Sequence, residues 1–195
     1  MQICVFCSSS NAVNRVYFEA AAQLGKLIGE NGHSLIYGGA NVGLMEQVAV
    51  SVKKCNGFIL GIIPLKIHEH QLSSENANEM IITKTMDERK SLMREKSDAF
   101  IALPGGFGTL EEILEVITLK QLDYHQKPIV FINTNGFFND LFVQFEKSYT
   151  ETFAKESYRK LYTVVDTPAE AISYIENYRH ENIENKWFKV PGGNK

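Results

Sequence analysis

The sequence is poor in the features that mark secreted, membrane-spanning or nucleic-acid-binding proteins. Its 195 residues include three cysteines, an odd number that does not suit a disulfide framework. The longest apolar runs, such as residues 58–64 and 99–104, fall well short of the roughly 20 residues that a membrane-spanning helix needs. The net charge of −3 argues against bulk electrostatic binding to nucleic acid. The amino-terminal residues lack the basic and apolar regions of a signal peptide, so we expect a cytoplasmic location.

Metal and redox chemistry also lack their usual patterns. Cys4 and Cys7 form a C-x-x-C pair, but a structural zinc site needs a second pair, which the sequence does not contain. A redox pair of this kind usually opens a helix, whereas these two lie in an apolar, strand-like segment, so we expect core cysteines. The remaining metal candidate is His68-Glu69-His70, whose two-residue spacing does not match that of a helical zinc pair. We expect no metal and no cofactor.

Two familiar nucleotide-binding fingerprints are missing as well. A dinucleotide site needs G-x-G-x-x-G after the first strand, and the segment CSSSNA at 7–12 contains no glycine. A P-loop needs G-K-[ST] after its glycines, and this chain has G-T-L at 108–110. These absences argue against NAD-type and P-loop NTPase chemistry.

Short apolar segments alternate with amphipathic ones along most of the chain. They predict strands at residues 3–6, 34–37, 57–63, 80–85, 99–103, 128–132 and 162–165. Helices are predicted at residues 15–30, 44–54, 87–97, 109–122, 137–150 and 168–178, with a loop at 66–78. Because the strands are uniformly apolar, the pattern predicts a doubly wound α/β fold, with a mainly parallel sheet covered by helices on both faces. We expect one domain over residues 1–180 and a C-terminal tail over 181–195.

Two glycine-rich segments follow predicted strands and precede predicted helices: YGGANVGLM at 37–45 and PGGFGT at 104–109. Ligands of doubly wound folds bind beyond the carboxyl ends of the strands, where both segments would lie. Glycines let the backbone approach a ligand, and a helix N-terminus offers free N–H groups, so the segments predict an anion site, most often for phosphate. Ser8, at the end of the first strand, would add a hydroxyl donor. The simpler interpretation of the second segment is a tight turn with Thr109 as a helix cap.

Charged residues flank the second glycine segment. Glu111 and Glu112 fall in the first turn of the predicted helix, where the dipole stabilises negative charge by roughly 0.3–1 kcal/mol. A carboxylate beside a bound anion needs a cation nearby. The candidates lie in MDERKSLMREK at 86–96 and are Arg89, Lys90, Arg94 and Lys96. The alternative interpretation is that residues 86–96 form the solvated face of a helix.

The motifs M-x-E-R-K at 86–90 and P-G-G-x-G-T-x-x-E at 104–112 resemble those of the Lonely Guy (LOG) family of cytokinin riboside 5′-monophosphate phosphoribohydrolases. The resemblance covers residues 2–178 and includes the CSSS strand end, the YGG…GLM loop and the KPIVF segment. It implies a Rossmann-like fold and a homodimer with sites near the subunit interface. The implied reaction is hydrolysis of the N-glycosidic bond of AMP-like nucleotides, which gives adenine or an N6-modified adenine and ribose 5-phosphate.

The resemblance also implies roles for individual residues. Arg89 and Glu112 match the catalytic pair. The expected substrate contacts are Ser8, Gly39, Gly43, Lys90, Met93, Gly105, Gly106, Phe107, Gly108, Thr109 and Thr118. The chain departs from the family pattern at Asp87, where many members have histidine, and at Phe107, which replaces tyrosine or leucine. Gln71 stands near a substrate-contacting glutamate of many members, for which Glu69 is an alternative. These departures leave the preferred base open.

Two other functions compete with the glycosidase. One is a nucleotide-binding sensor without turnover, which would not need a glutamate beside a phosphate. The other is a pyridoxal-phosphate decarboxylase, since proteins with this P-G-G motif have often been labelled lysine decarboxylases. That function needs a Schiff-base lysine in a cofactor pocket, and no lysine has a recognisable setting for it. The presence of both Arg89 and Glu112 favours the enzyme that cleaves nucleotides.

Overall fold

The structure, a computed structural model, describes residues 1–181 and 183, and strands alternate with helices throughout that part. The strands are β1 (Gln2–Phe6), β2 (Ser34–Tyr37), β3 (Ile59–Pro64), β4 (Glu79–Thr83), β5 (Ala99–Ala102), β6 (Ile129–Ile132) and β7 (Thr163–Val165). The helices are α1 (Arg15–Glu30), α2 (Gly43–Lys54), α3 (Leu65–His68), α4 (Met86–Lys96), α5 (Phe107–Gln121), α6 (Asn139–Thr150) and α7 (Pro168–Glu176). Two 3₁₀ helices, Thr134–Gly136 and Glu156–Leu161, precede α6 and β7.

The strands form one parallel sheet in the order β4-β3-β2-β1-β5-β6-β7. The chain begins at the centre of the sheet, builds outward to β4, and returns to the centre to place β5 beside β1. The direction of winding reverses between β1 and β5, and ligands of doubly wound folds bind at the carboxyl ends of the strands beside such a switch point. The prediction of a doubly wound α/β fold with a parallel sheet is confirmed.

Helices cover both faces of the sheet, and side chains alternate between them. Along β1, Ile3 and Val5 belong to a core cluster shared with α1, α2 and α7. Cys4 and Phe6 belong to a second cluster, shared with α4, α5 and α6. Both faces therefore exclude water, which explains why the strands read as apolar throughout. Cys4 and Cys7 are buried and unpaired, as expected of core cysteines, and Cys55 is half-buried.

Helix capping explains two boundaries that differ from the predicted ones. The strand predicted at 80–85 ends at Thr83, because Thr85 caps α4 by accepting a hydrogen bond from the Glu88 N–H at 3.1 Å. The helix predicted to begin at Thr109 begins at Phe107, because Gly106 is its N-cap residue. Thr109 therefore lies inside the first turn and is not the cap.

Irregular segments account for two further differences from the prediction. The loop predicted at 66–78 contains most of the short helix α3 and an antiparallel bridge between Ala40 and Ser73. The helix predicted from residue 137 begins at Asn139, after a 3₁₀ turn in which Asn135 has a φ of 55°. Neither short turn has the apolar periodicity that identifies longer helices.

The C-terminal tail predicted over 181–195 lies outside the described residues, apart from Glu181 and Ile183. Glu181 forms an ion pair of 2.7 Å with Lys160. Ile183 packs against a small cluster around Tyr158. Within the described chain, no helix has both the length and the apolar content required to cross a bilayer.

Candidate active site

Three loops meet at the carboxyl edge of the sheet, where β1 lies beside β5. The Ser8 N–H donates to the Pro104 carbonyl at 3.2 Å, and the Leu44 N–H donates to the Ser8 carbonyl at 2.9 Å. The Gly43 N–H donates to Asn11 Oδ1 at 2.8 Å. These bonds bring the end of β1 together with both glycine segments.

Two of the predicted glycines serve the packing between these loops. Gly43 has a φ of 60°, and a Cβ at this position would lie 2.5 Å from the Ser9 carbonyl carbon. A Cβ at Gly105 would lie 2.1 Å from Thr109 Oγ1. Any larger residue at either position would push the loops apart, so their close approach requires glycine.

The second glycine segment has an open side at the start of α5. A Cβ built at Gly106 or Gly108 would meet no described atom within 4 Å. Gly106 has no side chain to cap the helix, and the Leu110 N–H makes the first backbone bond back to the Gly106 carbonyl, at 3.1 Å. The N–H groups before Leu110 and the positive end of the helix dipole are therefore available to an anion, which makes the start of α5 the candidate anion site. Phe107, 93 % exposed, stands beside it.

Arg89 of α4 and Glu112 of α5 form a buried ion pair behind this anion site. Arg89 Nη2 lies 3.0 Å from Glu112 Oε1, and the two residues are only 8 % and 7 % exposed. Arg89 Nε donates to the Ile62 carbonyl at 3.2 Å, and Nη1 contacts Met86 Sδ at 3.7 Å. The guanidinium is thus held from three sides, with Glu112 as its charged partner.

The first glycine segment makes room for this guanidinium. A Cβ at Gly38 would lie 2.4 Å from Arg89 Nη2 and 3.0 Å from Met45 Sδ. Gly39 has a φ of 73°, and a Cβ there would lie 2.9 Å from Met80 Sδ. The Gly-Gly pair after β2 is therefore needed to seat Arg89 and the methionines around it.

Burial controls the ionisation of the groups in this region. Desolvation raises the pKa of Glu112 above its usual 4.5, against the attraction of Arg89, and repulsion from Glu111 raises it further. Burial also raises the pKa of the Cys7 thiol, with the charge of Glu112 adding to the effect. Cys7 therefore stays protonated, whereas the pKa of Glu112 lies above that of an exposed glutamate.

A second set of charges lies along the solvent side of α4 and α5. Lys90 Nζ is paired with Glu111 Oε1 and lies 3.6 Å from Glu115 Oε2. Arg94 Nη1 lies 2.7 Å from the same Glu115 oxygen. The hydrogen bond to Glu111 raises the pKa of Lys90, which is therefore a full cation. Of the predicted cations, Arg89 and Lys90 lie closest to the second glycine segment.

A small pocket opens beside the loops that follow β1 and β5. Its volume is about 280 Å³, and it is lined by Ser8, Val13, Tyr17, Leu44, Pro104, Gly105, Gly106 and Phe137. The rings of Tyr17 and Phe137 meet edge to face, with centroids 5.9 Å apart. Side chains of this kind suit a planar or aliphatic group, bound beside the anion site.

Three further predicted residues are buried in the packing or lie on the outer surface of α5. Met93 is fully buried in the core cluster beneath α4, so its side chain is part of the packing. Thr109 is buried against Gly105. Thr118 is exposed on α5, about 9 Å along the helix axis from Glu112, and its hydroxyl donates to the Leu114 carbonyl at 2.8 Å.

A larger polar cleft of about 910 Å³ lies between α2 and the segment after β3. It is lined by Asn41, Glu46, Lys53, His68, Gln71, Ser73, Glu75 and Asn76. His68 Nδ1 is 2.7 Å from Ser73 Oγ. Over residues 1–181 and 183, no three His, Cys, Asp or Glu side chains are grouped so as to hold a metal ion.

Sequence reasoning missed the residues that seat Arg89. The Ile62 carbonyl is a backbone group in a core strand, and Met86 is an apolar residue with one weak acceptor, so neither gives a sequence signal. Gly38 could have been found from the sequence, because it belongs to a Gly-Gly pair that follows a predicted strand. The pairing of Lys90 with Glu111 could not be foreseen, because it depends on how α4 and α5 pack.

Comparisons with known proteins place this arrangement among characterised relatives. The family profile described as "Possible lysine decarboxylase" matches residues 45–175. The probable cytokinin riboside 5′-monophosphate phosphoribohydrolase LOGL2 of Oryza sativa subsp. japonica is 40% identical over 95% of this chain and 77% of its own length. The cytokinin riboside 5′-monophosphate phosphoribohydrolase LOG2 of Arabidopsis thaliana is 37% identical over 95% of this chain and 88% of its own.

Solved structures share the fold at lower identity. The molybdenum cofactor binding protein of the phototrophic bacterium Rippkaea orientalis matches with a TM-score of 0.70 and 26% identity, over 90% of this chain and 94% of its own. The Moco carrier protein of Chlamydomonas reinhardtii matches with a TM-score of 0.68 and 22% identity, over the same shares, and shows the fold alone. By its profile match and its curated relatives, the chain belongs to the Lonely Guy family of cytokinin riboside 5′-monophosphate phosphoribohydrolases.

Proposed function

We propose that this protein hydrolyses the N-glycosidic bond of adenosine 5′-monophosphates, including those with an N6 substituent, to a free base and ribose 5-phosphate. The observation that carries the proposal is the buried pair of Arg89 and Glu112 behind the uncapped N-terminus of α5. A phosphate at the helix start would hold the sugar near the Glu112 carboxylate, whose pKa is raised by burial. The named activity of the curated relatives agrees with this chemistry.

The mechanism follows from the charge that develops on the sugar. Breaking the bond between C1′ and the base leaves positive charge on the ribose, in an oxocarbenium-like transition state. The Glu112 carboxylate stabilises that charge, orients a water molecule toward C1′ and accepts its proton as the new C–O bond forms. The electron pair of the broken bond leaves with the base, which takes up a proton. The phosphate stays on the α5 N-terminus and keeps the ribose in place.

The contacts of Arg89 support a positioning role. Its three nitrogens are already engaged by Glu112, the Ile62 carbonyl and Met86 Sδ. A guanidinium held in this way fixes the carboxylate, and its charge lowers the pKa of Glu112 against the larger effect of burial. Lys90, on the solvent side of α4, is better placed to meet the phosphate.

A homodimer with sites near its interface is part of the proposal. Phe107 stands almost fully exposed beside the anion site, and Thr118 lies on the outer side of the same helix. A second copy that covered α5 would bury Phe107 and bring the Thr118 of the partner subunit toward the site. Size-exclusion chromatography with light scattering tests this, and Phe107→Glu is expected to shift a dimer toward monomer. A monomeric wild-type protein would contradict it.

A pyridoxal-phosphate decarboxylase has less support in the structure. Burial lowers the pKa of Lys120 to about 8, as a Schiff-base lysine requires. Lys120 lies about two turns beyond Glu112 along α5, however, and its Nζ donates to Tyr178 Oη at 3.0 Å. Lys90, the lysine nearest the anion site, is held as a cation by Glu111. An absorption spectrum of the purified protein checks for the cofactor band.

A product assay tests the function. The protein is incubated with AMP and with N6-isopentenyl-AMP, and free base and ribose 5-phosphate are followed by chromatography. Release of both products, lost in Glu112→Gln and Arg89→Ala, supports the glycosidase. The ratio between the two substrates measures the contribution of the N6 group. Nucleotide binding without product would favour a sensor and overturn the proposal for these substrates.

A further inference from the structure

The seam between α4 and α5, with its four ion-paired side chains Lys90, Arg94, Glu111 and Glu115, is electrically balanced before any substrate arrives. Arg89 is matched by Glu112, Lys90 by Glu111, and Arg94 by Glu115. A phosphate at the α5 N-terminus would add about two negative charges at neutral pH. These charges need a cation, and each cation of the seam already has a carboxylate partner.

Lys90 is the cation that can change partners. Arg89 is buried and held from three sides, so turning it toward a phosphate would leave Glu112 uncompensated. Arg94 lies further along α4 than Lys90, and it is paired with Glu115 of α5. Lys90 carries a compact charge on a flexible stem, and its carboxylate partner Glu111 is 54 % exposed. The Lys90 side chain is only 13 % exposed, but Glu111 would return to solvent when a phosphate oxygen replaced it.

We propose that Glu111 and the substrate phosphate compete for Lys90, so that Glu111 sets the affinity of the enzyme for nucleoside monophosphates. Glu111 is the fifth residue of α5, about one turn after the free N–H groups, and its carboxylate holds Lys90 when no phosphate is bound. On binding, Lys90 moves to the phosphate, and Glu111 turns to solvent. Glu115, 3.6 Å from Lys90 Nζ, keeps the lysine near the seam during the exchange.

This competition selects for the phosphate group. A nucleoside without a phosphate cannot displace Glu111, so it gains nothing from Lys90. A 5′-monophosphate replaces the Glu111 carboxylate with a group of higher charge. Its net gain is the Lys90–phosphate interaction minus the Lys90–Glu111 interaction that is lost. The site therefore binds only ligands that carry a phosphate. It also releases ribose 5-phosphate readily, because Glu111 can pair with Lys90 again as the product leaves.

The inference rests on the proposed function, and its test uses three single variants and one double variant of the full chain. Glu111→Gln removes the competitor. Glu95→Gln is the matched control, since it removes one negative charge from an exposed position of α4 away from the seam. Lys90→Met removes the cation, alone and together with Glu111→Gln. Melting curves confirm that each variant is folded.

The expected result for Glu111→Gln is a KM for AMP lowered about threefold to tenfold, with kcat changed little, because the carboxylate that holds Lys90 no longer opposes binding. Calorimetric binding of ribose 5-phosphate should tighten by a similar factor. Cleavage of adenosine should not improve. Glu95→Gln should behave as wild type, and Glu111→Gln should give no gain once Lys90 is methionine.

Several outcomes would overturn the inference while leaving the proposed function intact. One is an active wild-type enzyme in which Glu111→Gln leaves KM unchanged or raises it. Another is an equal fall in KM for Glu95→Gln, which would indicate a general charge effect. A third is an undiminished gain from Glu111→Gln in the Lys90→Met background. If the wild type released no base from any nucleotide, the proposed function would fail, and the ribose 5-phosphate measurement would still decide whether Glu111 competes for Lys90.

Discussion

Arg89 Nη2 lies 3.0 Å from Glu112 Oε1 across two helices that are separate in the sequence, and both side chains are almost fully buried. Burying two charges is unfavourable unless their geometry and remaining hydrogen bonds are good. Here the Ile62 carbonyl satisfies a second edge of the guanidinium. The pair thus holds one carboxylate in a fixed place at the carboxyl edge of the sheet, where a ligand would bind.

Arg89→Lys tests whether the shape of the guanidinium matters as well as its charge. Lysine keeps the positive charge but cannot contact Glu112, the Ile62 carbonyl and Met86 together. We expect a loss of about 1–3 kcal/mol in the free energy of unfolding, from the unsatisfied groups that remain. We also expect kcat to fall about 10²-fold, from misplacement of Glu112. Urea unfolding and the product assay measure the two effects, and a fully active Arg89→Lys would show that charge alone suffices.

Gly38→Ala tests the seat of Arg89 without touching any charge. The new methyl group would lie 2.4 Å from Arg89 Nη2, so the guanidinium must move. We expect about 1–3 kcal/mol of destabilisation from overpacking and a fall in kcat of about 10²-fold, as the ion pair shifts. The same two measurements apply. Wild-type kcat in a folded Gly38→Ala protein would mean that the position of the pair is not critical.

The parts of this molecule that follow from local pattern could be predicted from the sequence. Uniformly apolar strands such as residues 99–102 gave the parallel sheet, and the order of strands and glycine segments placed the site at its carboxyl edge. The start of α5 was predicted two residues late, because Thr109 resembles a cap while Gly106 is the actual one. A glycine cap leaves no side-chain signal.

The pairing of the charged side chains could not be predicted, because it depends on the packing of α4 against α5. The sequence showed cations at 89–96 and carboxylates at 111–115, but not that Arg89 pairs with Glu112 while Lys90 and Arg94 pair with other carboxylates of α5. The buried position of Met93 was equally hidden, since a methionine suits either a core or a binding pocket. These assignments require tertiary contacts that no local pattern encodes.

Gly108→Ala should stabilise the fold while it weakens ligand binding. A Cβ at Gly108 meets no described atom within 4 Å, and Gly108 lies in the first turn of a helix. Alanine should therefore raise the free energy of unfolding by about 0.5–1 kcal/mol. If the N–H groups there bind phosphate, the same methyl group obstructs the ligand, so KM for AMP should rise and ribose 5-phosphate should bind more weakly. A stabilised variant with unchanged KM would remove Gly108 from the anion site.

His125 should make stability depend on acid. Its Nε2 lies 2.9 Å from the Val116 carbonyl, and burial lowers its pKa to about 4, with Lys120 and Lys127 adding repulsion. Unfolded, the group titrates near 6.5. Between these values the unfolded chain binds more protons, so stability should fall as pH decreases from 6.5 toward 4. Urea unfolding at pH 7, 5.5 and 4.5 should show a smaller fall in His125→Gln, and an equal fall would assign the effect to other groups.

The acid limb of the pH–rate profile should report on Glu112. A carboxylate that accepts the proton of water must be ionised, so kcat/KM should rise with pH through a pKa above 4.5. The free energy of unfolding should instead decrease as pH rises. A carboxyl whose pKa is raised in the folded state stabilises the fold only while it is protonated. The phosphate of the substrate also titrates, near pH 6, but it does so equally with every variant.

The variants Glu111→Gln and Glu95→Gln identify the group behind that limb. Glu111 raises the pKa of Glu112 by repulsion, so its removal should shift the limb to lower pH. Glu95→Gln changes the net charge equally and should leave the limb in place. A limb that stays fixed in both variants would belong to the substrate phosphate. In that case Glu112 would be ionised throughout the range, and its burial would have to be offset by Arg89 more strongly than the structure indicates.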